Sequence, residues 1–363
     1  MKLIIFGAQG YALGAYEAVK TLYPEHEILF FMVSSKENNA PVLAGLPVRE
    51  ISSVLPEMSE EERKSVKVLI ATPDNVQPEI VELLERYGFT NNKRLDSDGW
   101  ADLMERFHAK TGKFQPLGSL MTGPDLAKLC VFAARSHKDK ALGSSAVLSG
   151  YVCPLQVGKA LCDESIAELS DDTGDNISQK NGNYSELTGL YWIWKNRLCK
   201  EDSSDKDGHD YFGLAQYRRM LVLSEDNLRW MKENDIDVVL PYPLPYDPDI
   251  NAHHERYLKE TDWNALLRAL KEIQPEYADA FPEVLRQRYL FNYNVITAKR
   301  SVLNEYCSWL FPILERTEEY SVPKGCDRSD RYIGYMGETL ETLYFMKNAE
   351  RLNIALAECR MYI

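Results

Sequence analysis

Over its first hundred residues the chain alternates short apolar runs of strand length with stretches of helical periodicity. Lys2 to Phe6 (KLIIF) predicts a buried strand. Gly7-Ala8-Gln9-Gly10, with Gly14, opens a helix through Val19, and Glu27 to Val33 (EILFFMV) supplies a second strand, so the chain begins with a βαβ unit. Val66 to Ala71 (VKVLIA) predicts a further strand, Pro73-Asp74-Asn75 a turn, and Pro78 to Tyr87 a helix with its proline in the first turn. Further on, Leu187, Leu190, Tyr191 and Trp194 recur at helical spacing. They predict a helix that starts near Glu186 with Asn183 or Ser185 as its cap. Upstream, Asp171 to Ser178 is dense in turn residues and reads as an ordered loop. Downstream, Tyr211 to Ala215 is a short strand that ends in Gln216-Tyr217-Arg218-Arg219. In open α/β sheets ligands gather at the carboxyl ends of strands, so this strand end marks a candidate site.

The pattern divides the chain. Thr111 to Pro124 (TGKFQPLGSLMTGP) is rich in Gly, Pro, Ser and Thr and reads as a linker. We expect an α/β protein: a small Rossmann-like parallel-sheet domain over 1–115, a linker over 116–128 and a second α/β domain over 129–363. Lys200 to Asp210 (KEDSSDKDGHD) reads as a solvated loop. In the first domain Gly7, Gln9 and Gly10 form the loop where a ligand would sit. Their spacing, G-x-x-G-x-x-x-G, is not the dinucleotide fingerprint, and no acidic residue follows the second strand to hold a ribose, which weakens a nicotinamide-dependent reading.

Composition narrows the classes. With 42 basic against 55 acidic residues the net charge is −13, which opposes non-specific nucleic-acid binding, so any phosphate must be held by local basic groups. The seven cysteines are an odd number without CxxC spacing, which argues against a disulfide framework or a zinc site. No apolar run approaches the roughly 18 residues that span a bilayer, and no signal peptide is evident. These features lead us to expect a cytoplasmic protein, resting on the inner face of the membrane if its acceptor is lipid-linked. Oligomeric state is left open.

Several separated motifs carry a resemblance. The run GDNISQKNGNYSELTGLYWIWKN from Gly174 to Asn196, followed by GLAQYRR, resembles a family long known only as a domain of unknown function, found in capsular and exopolysaccharide gene clusters and regarded as glycosyltransferases. VFAARSHK (Val131 to Lys138), YVCPLQVGKA (Tyr151 to Ala160), Ala252-His253-His254, the FNYNVITAKR run from Phe291 and RYIGYMGETL (Arg331 to Leu340) fall in the same order. The first domain, through LAGLPV (Leu43 to Val48) and the ATPDN turn, is similar to the nucleotide-sugar-binding domain of bacterial sugar acyltransferases, without the hexapeptide repeats of their second half.

The resemblance implies a GT-A-like fold and transfer of a hexose, with UDP-galactofuranose the first donor to consider and a glycan or lipid-linked oligosaccharide the acceptor. It implies donor contacts from His137, Lys138, Asp172, Asp175, Asn176, Ser178, Asn183, Tyr184, Glu186, Lys195, Gln216 and Tyr217. Acceptor contacts would come from His253, His254, Asn292, Asn294 and Arg331, and the carboxylate base from Glu338 ahead of Asp330 and Glu341. At the strand end Arg218 and Arg219 can bind phosphate oxygens and neutralise a leaving diphosphate, so no cofactor is expected and a divalent ion is the less favoured alternative.

Each assignment has a plainer reading. The arginines could pair with the Asp171–Asp175 loop, His137-Lys138 could be a surface pair, Glu186 or Lys195 an exposed helix charge, and Glu338 a helix-start glutamate favoured by the dipole. Adjacent histidines without a third ligand make no metal site. The family usually has a histidine before YRR, where this chain has Gln216, which cannot titrate. That departure supports an alternative, a non-catalytic nucleotide-sugar sensor or scaffold.

Overall fold

The structure is a computed structural model and describes residues 1–37, 39–140, 142, 148–199, 208–322 and 329–362. Most of the loop expected at Lys200 to Asp210 lies outside the described residues. The chain forms two compact units, one of residues 1–114 with 244–249, the other of 115–243 with 250–363.

The first unit contains strands β1 (Lys2–Phe6), β2 (Glu27–Val33), β3 (Val42–Leu43), β4 (Leu46–Glu50), β5 (Lys67–Ile70) and β6 (Asn92–Arg94). They form one sheet in the order β3-β4-β2-β1-β5-β6, parallel except for the β3–β4 hairpin. Helices α1 (Gly10–Leu22), α2 (Ile51–Val54), α3 (Glu60–Ser65), α4 (Gln77–Arg86) and α5 (Ser97–Thr111) connect and follow the strands. Alternation does the folding work here: Ile4 and Phe6, Phe30 and Met32, and Val68 and Ile70 point to one face and bury against Leu84 and Phe89. At the end of β1, Gly7 has φ +124°, and a Cβ there would lie 2.7 Å from the Ala71 carbonyl oxygen, so glycine is required for this close approach.

Far along the chain, Leu244–Asp249 also belongs to this unit. Its Leu244 and Pro245 pack against Gly10, and Asp247 accepts a 3.1 Å hydrogen bond from the Ala44 amide. Gln9 donates to Asn39 Oδ1 at 3.0 Å. The expected ligand loop of Gly7, Gln9 and Gly10 is therefore covered at Gly10 by the protein's own segment.

The second unit holds a mixed sheet of β7 (Leu129–Arg135), β8 (Val152–Gln156), β9 (Leu169–Ser170), β10 (Tyr211–Gln216), β11 (Arg219–Leu221), β12 (Val238–Pro241), β15 (Ile296–Lys299), β16 (Ile354–Ala357) and β17 (Cys359–Met361). Two short strands, β13 (Leu244–Pro245) and β14 (Tyr289–Leu290), complete the numbering. The main path runs β16-β12-β15-β10-β7-β8-β9. Because β10, β7, β8 and β9 are mutually parallel, their carboxyl ends share one edge, while β15 runs antiparallel to both β10 and β12. Helices α6 (Asn181–Tyr184), α7 (Leu187–Ile193), α8 (Glu225–Glu233), α9 (Ile250–His254), α10 (Glu260–Ile273), α11 (Pro275–Arg286), α12 (Arg300–Tyr320) and α13 (Tyr332–Lys347) surround it.

Two expectations change here. The stretch 116–128 is no free linker: Leu117 and Ala127 are buried in this unit's core, and Leu356 donates to the Gln115 carbonyl at 2.8 Å. Nor does Asn183 or Ser185 cap α7. Asn183 is buried within α6, Ser185 takes φ +52°, and the helix starts without a side-chain cap. The stripe itself is core at Leu187, Leu190 and Trp194, with Tyr191 half-buried, and after Ile193 the helix widens into one π turn over Trp194–Leu198. No helix among the described residues is long and apolar enough to cross a membrane.

Candidate active site

At the shared carboxyl edge of β7, β8 and β10 lies a cleft of about 430 Å³. Ser136, Lys138 and Asp139 enter it from the turn after β7, Gln216 to Arg219 from the turn after β10, Asn181, Gly182, Ser185 and Glu186 from the α6–α7 corner, and Arg331 from the start of α13. Four cations thus line one cleft in a protein whose net charge is −13. Among the described residues neither Arg218 nor Arg219 forms an ion pair, so the expected alternative pairing with the Asp171–Asp175 loop is not made. Arg219 donates to Gln216 Oε1 at 3.3 Å and lies over the Tyr293 ring at 4.5 Å, while Arg218 lies over the Tyr217 ring at 5.5 Å. Gln216 also donates to the Tyr293 carbonyl at 3.1 Å. Gln216 therefore joins Arg219 to Tyr293.

Behind the arginines sits the corner Asn292-Tyr293-Asn294. Tyr293 and Asn294 have φ of +76° and +51°. Ser185 and Arg331, both at the cleft, are also left-handed, so four of the six non-glycine residues with positive φ among the described residues surround this site. Such backbone persists only where the surroundings enforce it, and it concentrates at functional sites. Here the corner distributes hydrogen bonds to two carboxylates. Asn294 donates to Glu186 Oε1 at 2.7 Å and to the Gly334 carbonyl at 3.1 Å, and Asn292 donates to Glu338 Oε2 at 3.5 Å.

Those donors are too few for the charge they face. Burial pushes the Glu338 carboxyl up to about 8, helped by the negative charge of Glu186 and opposed by the Tyr293 amide, Asn292 and Arg219. Glu186 is raised by burial against the pull of Asn294, Gln216 and Arg331. Glu341, 1% exposed, is raised well above the carboxylate range by burial and by both other glutamates, and its Oε2 has no hydrogen-bond partner among the described residues. Like charge adds to burial in this cluster, since Glu186 raises Glu338 and both raise Glu341. Glu338 lies in the second turn of α13, which starts at Tyr332, and the helix-start reading of this residue is thereby corrected. The glycines beside it serve the protein rather than a ligand: a Cβ on Gly337 would come within 2.7 Å of Asn294 Oδ1, and one on Gly334 within 3.2 Å of Ser185 Oγ.

Of the expected donor residues, Lys138, Glu186, Gln216 and Tyr217 line the cleft, with His137 beside Lys138 in the same turn. The others are drawn into architecture. Asp171 is fully buried and accepts from the Gly158 amide at 2.9 Å, the Lys159 amide at 3.2 Å, Ser178 Oγ at 2.5 Å and Thr188 Oγ1 at 2.7 Å. Ser178 is thus committed to Asp171. Asp172 accepts from Ser170 of β9, Asp175 from Tyr191 of α7, and Asn176 donates to the Asp172 and Gly174 carbonyls within the loop. Asn183 and Tyr184 are buried, Tyr184 donating to Glu318 at 3.0 Å, and Lys195 lies 3.6 Å over the Trp194 ring.

Among the acceptor candidates, Arg331 lines the cleft, and Asn292 and Asn294 orient the carboxylates behind it. His254 is 4% exposed, bonded to Thr339 Oγ1 at 2.5 Å and stacked on Trp263, and burial pushes it down to about 3. That leaves His253, pushed down to about 4, as the less buried of the pair. Among the described residues no three His, Cys, Asp or Glu side chains are grouped to hold a metal ion. Sequence reasoning missed the Asp171 hub and the left-handed corner. Paired asparagines around a tyrosine were the available signal for the corner, since asparagine tolerates this backbone better than most residues.

A family model described as a domain of unknown function, DUF4422, matches residues 133–349, more than half of the chain. No curated protein matches it. Among solved structures, the apo structure of WbbM, a bifunctional glycosyltransferase, is similar at 26% identity and a TM-score of 0.53, covering 64% of this chain and 45% of that one. This chain therefore spans less than half of that protein. The mannosyltransferase Ktr4p from S. cerevisiae aligns at 13% identity and a TM-score of 0.29 over 67% of this chain and 76% of that one, a likeness too remote to carry an argument. The fold class is a Rossmann-like parallel-sheet domain followed by a GT-A-like domain.

Proposed function

Since the chain belongs to the DUF4422 family, we propose that it is a glycosyltransferase that moves a sugar from a nucleotide donor to a surface glycan. One observation carries this reading: a cleft at the carboxyl ends of β7 and β10 lined by four cations, with the Glu338 carboxyl held behind it by Asn292. A nucleotide sugar presents a diphosphate, and Lys138, Arg218, Arg219 and Arg331 supply the charge that its departure requires. In the proposed displacement an acceptor hydroxyl oxygen attacks the anomeric carbon, the bond from that carbon to the diphosphate breaks with its electrons going to the leaving group, and Glu338 in its ionised form takes the hydroxyl proton. Guanidiniums can neutralise a leaving diphosphate as a divalent ion would, so transfer is proposed to be metal-independent. UDP-galactofuranose and a capsular or exopolysaccharide acceptor follow from the family resemblance alone. Gln216, bonded to Arg219, has a place at this site that needs no titration, which supports the catalytic reading over a sensor or scaffold.

The test is turnover of a nucleotide-sugar panel, with and without excess EDTA. Activity should survive the chelator, and Arg219→Lys should lower kcat by ~10²-fold with the fold intact, as loss of an oxyanion-type donor does. Near-parental turnover in both Arg218→Lys and Arg219→Lys would remove the diphosphate role, and activity restored only by manganese would replace the guanidinium mechanism with a metal-assisted one.

A further inference from the structure

The outer face of α13 carries an aromatic group that the proposed chemistry does not use. Between Tyr332 and Phe345 the helix is buried except at Tyr335 and Glu338. With Arg331 these lie on successive turns of one face, so Tyr335 stands between a residue of the cleft and the carboxylate behind it. Tyr335 is stacked by Tyr257, ring centroids 5.3 Å apart at 29°, and Tyr257 is 5.1 Å from the His253 ring. Tyr257 is 52% exposed, and among the described residues it is the one aromatic side chain with such a large exposed apolar surface. His253 is held in its neutral form by burial and by Arg256, so the group is flat, aromatic and uncharged beside a strongly cationic cleft.

We propose that Tyr257, Tyr335 and His253 form a platform that seats the terminal sugar ring of the acceptor glycan. This rests on the glycosyltransferase reading of the neighbouring cleft. A sugar ring turns a face of weakly positive C–H groups outward, which suits the negative face of an aromatic ring, while its hydroxyls remain for the phenol and imidazole edges. An anionic donor has its partners in Lys138 and the arginines; the uncharged platform suits the uncharged substrate. It would also place an acceptor hydroxyl on the same helix face as Glu338.

The experiment uses the full chain and n-octyl β-D-galactopyranoside below its micelle-forming concentration, followed by saturation-transfer NMR. This probe carries a sugar ring and an alkyl chain on one molecule. Saturation is expected on the ring C–H protons, with Tyr257→Phe close to parental and Tyr257→Ala weakening binding by roughly 3- to 10-fold, the range of one aromatic contact. Binding of a nucleotide such as UDP should be the same in all three proteins. Saturation confined to the octyl chain would make the patch a lipid-facing surface, and equal ring signals in Tyr257→Ala, or no ring signal in the parent, would overturn the platform. Because this readout needs no turnover, it separates the two readings: ring binding that depends on Tyr257 in a protein without transferase activity keeps the platform and discards the enzyme, whereas transfer with an unchanged acceptor KM in Tyr257→Ala does the reverse.

Discussion

Asp171 and Glu338 are both desolvated carboxylates of the second unit, and the fold treats them in opposite ways. Asp171 receives four hydrogen-bond donors within 3.2 Å. Glu338 receives a long contact from Asn292 and the Tyr293 amide, and it faces the charge of Glu186. A buried carboxylate matched by donors ties its surroundings together; one short of donors and close to like charge keeps its proton and can exchange it near neutral pH. The GDN loop, rich in aspartates, is thus held by its own hydrogen bonds, and the glutamates behind the arginines are the groups we propose for proton transfer.

The largest effects should separate these two residues. Asp171→Ala strands four donors, at about 1–3 kcal/mol for each that finds no new partner, so its melting temperature should fall steeply in calorimetry. Glu338→Gln should leave the melting temperature near or above the parent's and lower transfer by ~10²–10⁴-fold with donor binding retained. If Asp171→Ala melts like the parent, the contrast is lost. If Glu338→Gln transfers within a few-fold of the parent, Glu186, which lines the cleft, becomes the base.

A second effect appears in the pH profile. A base must be ionised to accept a proton, and the Glu338 carboxyl is pushed up to about 8, so kcat/KM should rise with pH toward that value. Glu186 contributes to the upward shift, and Arg219, Asn292 and the Tyr293 amide oppose it. Glu186→Gln should therefore move the rising limb to lower pH. A limb left in place would show that the two glutamates titrate independently.

The smallest effect concerns stability. Glu341 has a folded pKa raised above its unfolded value, so the stability it contributes is present below the unfolded pKa and is lost as pH rises toward the folded one. Glu341→Gln should then gain melting temperature relative to the parent at pH 8 and show little difference at pH 4. A gain of equal size at both values would point to packing rather than ionisation.

What was legible in advance follows the range of the forces involved. Apolar runs such as KLIIF, EILFFMV and YFGLA set their strands locally, because alternation or continuity of apolar residues is sufficient, and the observed strands span Lys2–Phe6, Glu27–Val33 and Tyr211–Gln216. The paired arginines at a strand end were visible for the same reason, and the parallel register of β7 with β10 puts them on the cleft edge. The linker reading failed because composition alone does not show that Leu117 has a core to enter. The donor role given to Ser178 meets a similar obstacle, since its hydroxyl is taken by a buried Asp171 and a serine read by itself shows no such partner.

The sequence by itself determined the α/β class, the strands at KLIIF, EILFFMV, VKVLIA and YFGLA, the helices that open at Gly10 and near Glu186, and the charge brought to one strand end, because these depend on neighbours within a few residues. Only the tertiary structure decided which carboxylates are matched by donors and which are buried against like charge. Asp171 finds Gly158 and Thr188, while Glu338 and Glu341 meet Glu186 around Asn292 and Asn294, and desolvation and like-charge repulsion act through space although Glu186 lies more than a hundred positions from the other two.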